Sequence, residues 1–297
     1  MMPRSVAVLL ENCLDYAGTF PPARLDLKVA FENYLRYRKG AERALVRSFV
    51  CPVSVLKDLP ERVESEVVLS VIGTRAENSI KETVEKDFAL LSDFSKTHSR
   101  DYRVQSYEIR ANSPLEIHGS WFEDLHRMFP GIRAFIEIPF DETTLSDSLS
   151  ALKTENLFGK VRIAERDSVL SGEQLARWLV LCANLRLPFK ATAGLHHPIY
   201  LDERGTYKHG FLNLFCAGTI AYFGGDEFVV NSILECGDSS EFRFLEDAFE
   251  VLGHRAEISR IREAREWLIS FGSCSVDEPI EGLEALGYWE AAHAEIQ

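Results

Sequence analysis

The 297-residue chain is 46% hydrophobic and 27% charged, enough to build a large buried core and to exclude an unfolded chain. Its 33 basic against 46 acidic residues leave a net charge of −13, which repels nucleic-acid backbones and anionic membranes, and no apolar run is long enough to span a bilayer. The six cysteines (Cys13, Cys51, Cys182, Cys216, Cys236 and Cys274) lack CxxC spacing, and Glu11, Asn12 and Asp15 break the short apolar N-terminal run, so we expect a cytoplasmic protein without a signal peptide.

Short apolar runs alternate with longer helical patterns along the whole chain, the rhythm of βα units, with no repeat or linker between them. A short helix near residues 6–11 leads to a first strand at 13–17, which ends in DYAGTFPPA, a loop that Gly18, Pro21 and Pro22 should hold fixed. A helix at 25–39 follows, then strands at 47–53 and 66–72, a helix at 76–94 and a strand at 102–110. The helical stretch SWFEDLHRMF precedes a fifth strand at 132–140, and GKVRIAE (159–165) makes the sixth. Ser171 and Gln174 have capping-box spacing and open a helix through Leu175, Trp178, Leu179 and Cys182; PFKATAG (188–194) is the seventh strand. Helical segments at 209–223 and 226–236 come next, the first apolar around its whole turn, as expected of a barrel-wall helix or a subunit contact in a homo-oligomer.

For the eighth strand FRFLE (242–246) is preferred, followed by a helix at 257–270, with LISFGSCS (268–275) as its rival. The resulting fold is α/β: one (β/α)8 TIM-type barrel domain over 1–297 with additional C-terminal helices. An open doubly wound sheet is less suited, because no glycine-rich dinucleotide loop or P-loop follows any strand.

In such barrels the reacting groups lie at the C-terminal ends of strands. That selects Asp15, Glu108 and Glu137 as carboxylates, and strand parity puts Lys160 with Arg162 on one face, and Lys190 with Thr192 and His196 on one face. Two lysines entering a confined lumen from neighbouring strands would disfavour each other's charge, and a neutral lysine is a nucleophile for carbonyl compounds. The plainer reading is that each lysine is paired by a carboxylate in a structural network.

GKVRIAE and PFKATAG, with a helix between them, resemble the sixth and seventh strands of deoxyribose-phosphate aldolase and related Schiff-base aldolases, and LDYAG resembles that family's opening strand. The resemblance implies an imine on Lys160, Lys190 as its electrostatic partner and Asp15 as an active-site carboxylate. Val161, Arg162, Ile163 and Ala164 depart from the small, hydroxylated residues that follow the family's first lysine, and its glycine-rich phosphate turn is missing unless FGSCS serves, so a phosphorylated sugar is not the expected substrate. DYAG-FPPA, K-TAGLHHP, HGFLN and FGSCS-DEP are also similar to segments that recur together in a bacterial barrel family, a likeness that implies a barrel and supplies no reaction.

The functional expectation is therefore a lyase of the aldolase type acting on a small carbonyl or hydroxy compound without a cofactor. Lys190, Lys160, Asp15, Glu137 and His196 are its catalytic candidates, and Arg162, Thr192, His197, His209 and Asn213 would contact substrate. Cys274 reads as a structural thiol rather than a nucleophile. The alternatives are a metal-dependent hydrolase or isomerase using His196, His197 and a carboxylate, and a barrel that binds without catalysing.

Overall fold

In the computed structural model the described residues are 2–76, 80–111, 123–124, 127, 129–165, 168–203 and 206–290. Eight strands close into a parallel barrel: β1 (Leu14–Tyr16), β2 (Val46–Pro52), β3 (Val67–Ile72), β4 (Tyr102–Arg110), β5 (Arg133–Glu137), β6 (Phe158–Arg162), β7 (Phe189–Thr192) and β8 (Leu268–Ser273). Their order around the barrel is β1-β8-β7-β6-β5-β4-β3-β2, and β5 and β6, for example, run parallel with Glu137 opposite Lys160. This is the (β/α)8 fold that the alternation of elements predicts. The expected helix at SWFEDLHRMF lies largely outside the described residues.

The closing strand corrects the preferred reading. LISFGS forms β8, and FRF (Phe242–Phe244) instead pairs antiparallel with Ala248–Val251, which pairs in turn with His254–Glu257. The burial patterns give the reason. Every residue of β8 is buried, as a strand packed on both faces must be, whereas Phe242 and Phe244 are buried around an exposed Arg243, the alternation of a sheet with one wet face. The helix predicted at 257–270 is correspondingly shorter, Ile258–Trp267, because its last turn is where β8 begins.

Contacts divide the chain into two compact units, Met1–Arg47 with Ile163–Gln297, and Ser48–Arg162. In the first, α1 (Arg4–Leu10) and α2 (Leu27–Lys39) flank β1, and the loop between them is folded on itself by Phe20 N–H to Ala17 O and Leu25 N–H to Gly18 O. The expected capping box is present: Ser171 Oγ accepts from Gln174 N while Gln174 Oε1 accepts from Ser171 N, opening the helix Gly172–Leu185. The apolar helix Phe211–Tyr222 is covered within this unit by Gly172–Leu185, Glu227–Leu234 and Ile258–Trp267. Gly218 lets it approach β8, since a Cβ there would come 2.8 Å from Leu268 Cδ2, and Phe211 stacks on Phe271 at 5.3 Å. Its apolarity is thus that of a barrel-wall helix.

In the second unit α3 (Ile80–His98) and α4 (Leu145–Thr154) accompany β3 to β6. Asp87 of α3, fully enclosed, accepts from Tyr107 Oη, Thr74 N and Thr74 Oγ1, each at 2.7 Å, and so ties the loop after β3 to the helix that follows. Among the described residues no helix is long and apolar enough to cross a membrane.

Candidate active site

The predicted lysines and carboxylates fall into two groups, one in each unit. In the unit Ser48–Arg162, the outgoing ends of β4, β5 and β6 carry Glu108 and Arg110, Glu137, and Lys160 and Arg162. Lys160 and Arg162 do share a face, with Val161 buried on the other. The Lys160 ammonium, 5% exposed, donates to Glu108 Oε2 and to Glu137 Oε2, both at 3.0 Å. Arg162 grips Glu137 with two parallel bonds, Nε to Oε1 at 2.7 Å and Nη2 to Oε2 at 3.1 Å, the bidentate geometry that a planar guanidinium favours. Arg110 Nη1 stands 3.6 Å from Glu137 Oε1. Below them, the Ser70 hydroxyl bonds Glu108 and lies 2.5 Å from Ser106 Oγ.

Burial alone would raise Glu137 and lower Lys160, since both charged forms lose water. For Glu137, Lys160 and Arg162 outweigh that desolvation and hold the carboxyl at about 2, below its ordinary 4.5. For Lys160, desolvation is outweighed by Glu108 and Glu137, and the amine is raised above 10.5. The resting lysine is therefore an ammonium, held charged by carboxylates.

A pH dependence follows. A carboxyl whose folded pKa is depressed adds stability above its unfolded value, and that stability disappears as pH falls from about 4.5 toward 2. For Glu137 the contribution is about 3 kcal/mol. Urea unfolding of the parent between pH 6 and 3 should lose stability more steeply than in Glu137→Gln, and equal slopes would contradict the pairing.

The second group belongs to the other unit. Lys190 on β7, 1% exposed, is ion-paired to Asp15 of β1, which is fully buried. Ser270 of β8 donates to the same Asp15 oxygen at 2.6 Å, and Arg47 Nη1 reaches Asp15 Oδ1 at 3.3 Å and Ser270 Oγ at 3.4 Å. Thr192 follows on β7 and faces Gly272, where a Cβ would meet its Oγ1 at 2.9 Å.

The histidines are dispersed. His196 Nδ1 lies 2.7 Å from Glu278 Oε2 in the first turn of the helix Asp277–Ala285, and the His197 carbonyl accepts from Phe211 N. His209 is buried and donates Nε2–H to Leu170 O at 2.7 Å; its pKa is lowered, mainly by burial. Asn213 bridges three backbones, accepting from Tyr200 N and donating to Ile233 O and Cys236 O, so its amide braces the wall. Among the described residues no group of three histidine, cysteine, aspartate or glutamate side chains is arranged to hold a metal ion. Cys274 is buried and its thiol is raised, chiefly by desolvation, which suits an inert thiol.

Sequence reasoning missed Arg47, Ser270, Ser70 and Ser106. Arg47 had a legible signal, a lone charge inside the otherwise apolar VRSFVCP. The serines had none, being small residues that strands accept on either face.

No family model matches the chain, and neither does any curated protein sequence. Among solved structures it is similar to the tetrameric deoxyribose phosphate aldolase of Aeropyrum pernix, with a TM-score of 0.54 and 12% identity over 96% of this chain and 100% of that one. At that identity the likeness is one of architecture: the chain has the eight-stranded βα barrel that the aldolase also has.

Proposed function

We propose that the protein is a barrel enzyme of the aldolase or lyase type that forms an imine between Lys160 and a small aldehyde or ketone. The observation that carries this reading is a buried lysine amine at the outgoing end of a barrel strand, bonded at 3.0 Å to each of two carboxylates. Imine chemistry needs three proton movements at one place: the ammonium must lose a proton, the carbinolamine hydroxyl must gain one to leave as water, and a carbon adjacent to the imine must give one up. Glu137 is held strongly acidic by Lys160 and Arg162, which leaves Glu108, the other carboxylate 3.0 Å from the amine, as the assigned proton acceptor. Glu137 then keeps its charge and steadies the cationic imine. Arg162, about one-third exposed at the strand end, is placed to meet the substrate's polar group.

Lys190 with Asp15 is the second candidate pair. Its amine is enclosed with a carboxylate that two other donors also engage, which suits a structural ion pair better than a nucleophile.

The test is borohydride reduction in the presence of small aldehydes and ketones, followed by intact mass and peptide mapping. A reduced adduct on Lys160 is expected. A complete panel without an adduct, or an adduct confined to surface lysines, removes the proposal.

A further inference from the structure

A cavity of about 530 Å³ lies at the N-terminal ends of β1 and β2, within the first unit. Its volume is that of a small-ligand site. One wall is apolar, built from Val8 and Leu10 of α1 and from Ala44 and Leu45 before β2. The rim is charged, with Glu11 after α1, Arg38 in the last turn of α2, and Arg43.

The frame is braced. Asn12 N donates to Ala44 O at 2.8 Å and Leu14 N to Leu45 O at 2.9 Å, joining the two segments across the floor. Arg265 Nη2 holds the Glu11 carbonyl at 3.0 Å, and Arg38 Nη1 holds the Val46 carbonyl at 2.8 Å. Glu11 and Arg43 line the same space with opposite charge, yet among the described residues the two side chains form no ion pair with one another. Two opposite, mutually unpaired charges on the rim of a partly apolar cavity match a ligand that carries both charges and a hydrocarbon group.

We propose that this cavity binds a small aliphatic amino acid as its zwitterion. The carboxylate meets Arg43, with Arg38 behind it; the ammonium meets Glu11; and the branched side chain lies on Leu10 and Leu45. Charge-assisted hydrogen bonds at both ends would fix its orientation, and the apolar wall would supply the preference for hydrocarbon. A bound ligand would join α1, α2 and the start of β1, the strand that carries Asp15.

Calorimetric titration of the 297-residue chain with leucine, leucinamide and 4-methylpentanoate tests this independently of any imine chemistry. Leucine should bind, and each analogue, lacking one charge, should bind at least tenfold more weakly. Arg43→Glu should weaken leucine and 4-methylpentanoate alike, Glu11→Gln should weaken leucine and leucinamide but not 4-methylpentanoate, and Ala44→Trp should block all three by filling the cavity. Ala44 and Arg43 are exposed, so those variants should fold. The proposal is overturned if leucine does not bind, if leucinamide binds as tightly, or if Arg43→Glu and Ala44→Trp leave leucine affinity unchanged.

Discussion

Replacing Lys160 by methionine is expected to abolish adduct formation and to destabilise the protein by about 3–5 kcal/mol, the cost of leaving buried charges without their partner. Glu108 and Glu137 are 2% and 4% exposed, and both bond the Lys160 amine. Without it, Arg162 and Arg110 still serve Glu137, and Glu108 loses the 3.0 Å bond from the amine while keeping a serine hydroxyl. Lys160→Arg separates chemistry from architecture: it retains a cation for the carboxylates but has no amine to form the imine. A foldable Lys160→Arg that still yields the adduct would place the nucleophile elsewhere, and a Lys160→Met variant as stable as the parent would show that the carboxylates do not depend on this amine.

How far such a site is legible in sequence depends on the residue. The lysines were visible because a cation in the middle of an apolar strand is costly unless something compensates it, as in GKVRIAE and PFKATAG. Strand parity then correctly put Lys160 and Arg162 on one face. The pattern could not say whether the lysines are neutral or charged. Lys160 resolves as charged because Glu108 and Glu137 approach it from strands about 20 to 50 positions earlier, a distance at which local pattern carries no information. The closing strand was misassigned because the helical spacing of Ile258, Ile261, Ala264, Arg265 and Leu268 carried the expected helix to 270 and so into LISFGS, although FRF shows the alternation of one wet face and β8 has none. Asn213 and His209 looked available because each is polar within an apolar helical stretch, but such residues also serve to bind backbone that the barrel wall leaves unpaired, and their bonds to Tyr200, Ile233, Cys236 and Leu170 do so.

Substituting Asp15 by asparagine should be comparably costly, about 3–5 kcal/mol, for the opposite electrostatic reason. Asp15 is the carboxylate shared by Lys190 and Arg47, whose side chains are 1% and 7% exposed, and its loss brings two enclosed cations to face a neutral amide. Ser270→Ala removes only a neutral donor, the 2.6 Å bond to Asp15, and is expected to cost about 1 kcal/mol. The diagnostic comparison is the double variant. If Arg47 and Lys190 repel one another once Asp15 is gone, then Arg47→Met should be destabilising in the parent, where it removes a partner of Asp15, and much less so in the Asp15→Asn background, where it relieves the repulsion. Denaturant unfolding of the four proteins gives the coupling directly, and strictly additive effects would mean that Arg47 and Asp15 act independently despite their 3.3 Å approach. The same series bears on the chemistry. Because Lys160 lies in a separate carboxylate group, Asp15→Asn that remains folded should retain the Lys160 adduct, whereas its loss would make Asp15 part of the reacting centre rather than a structural partner of Lys190.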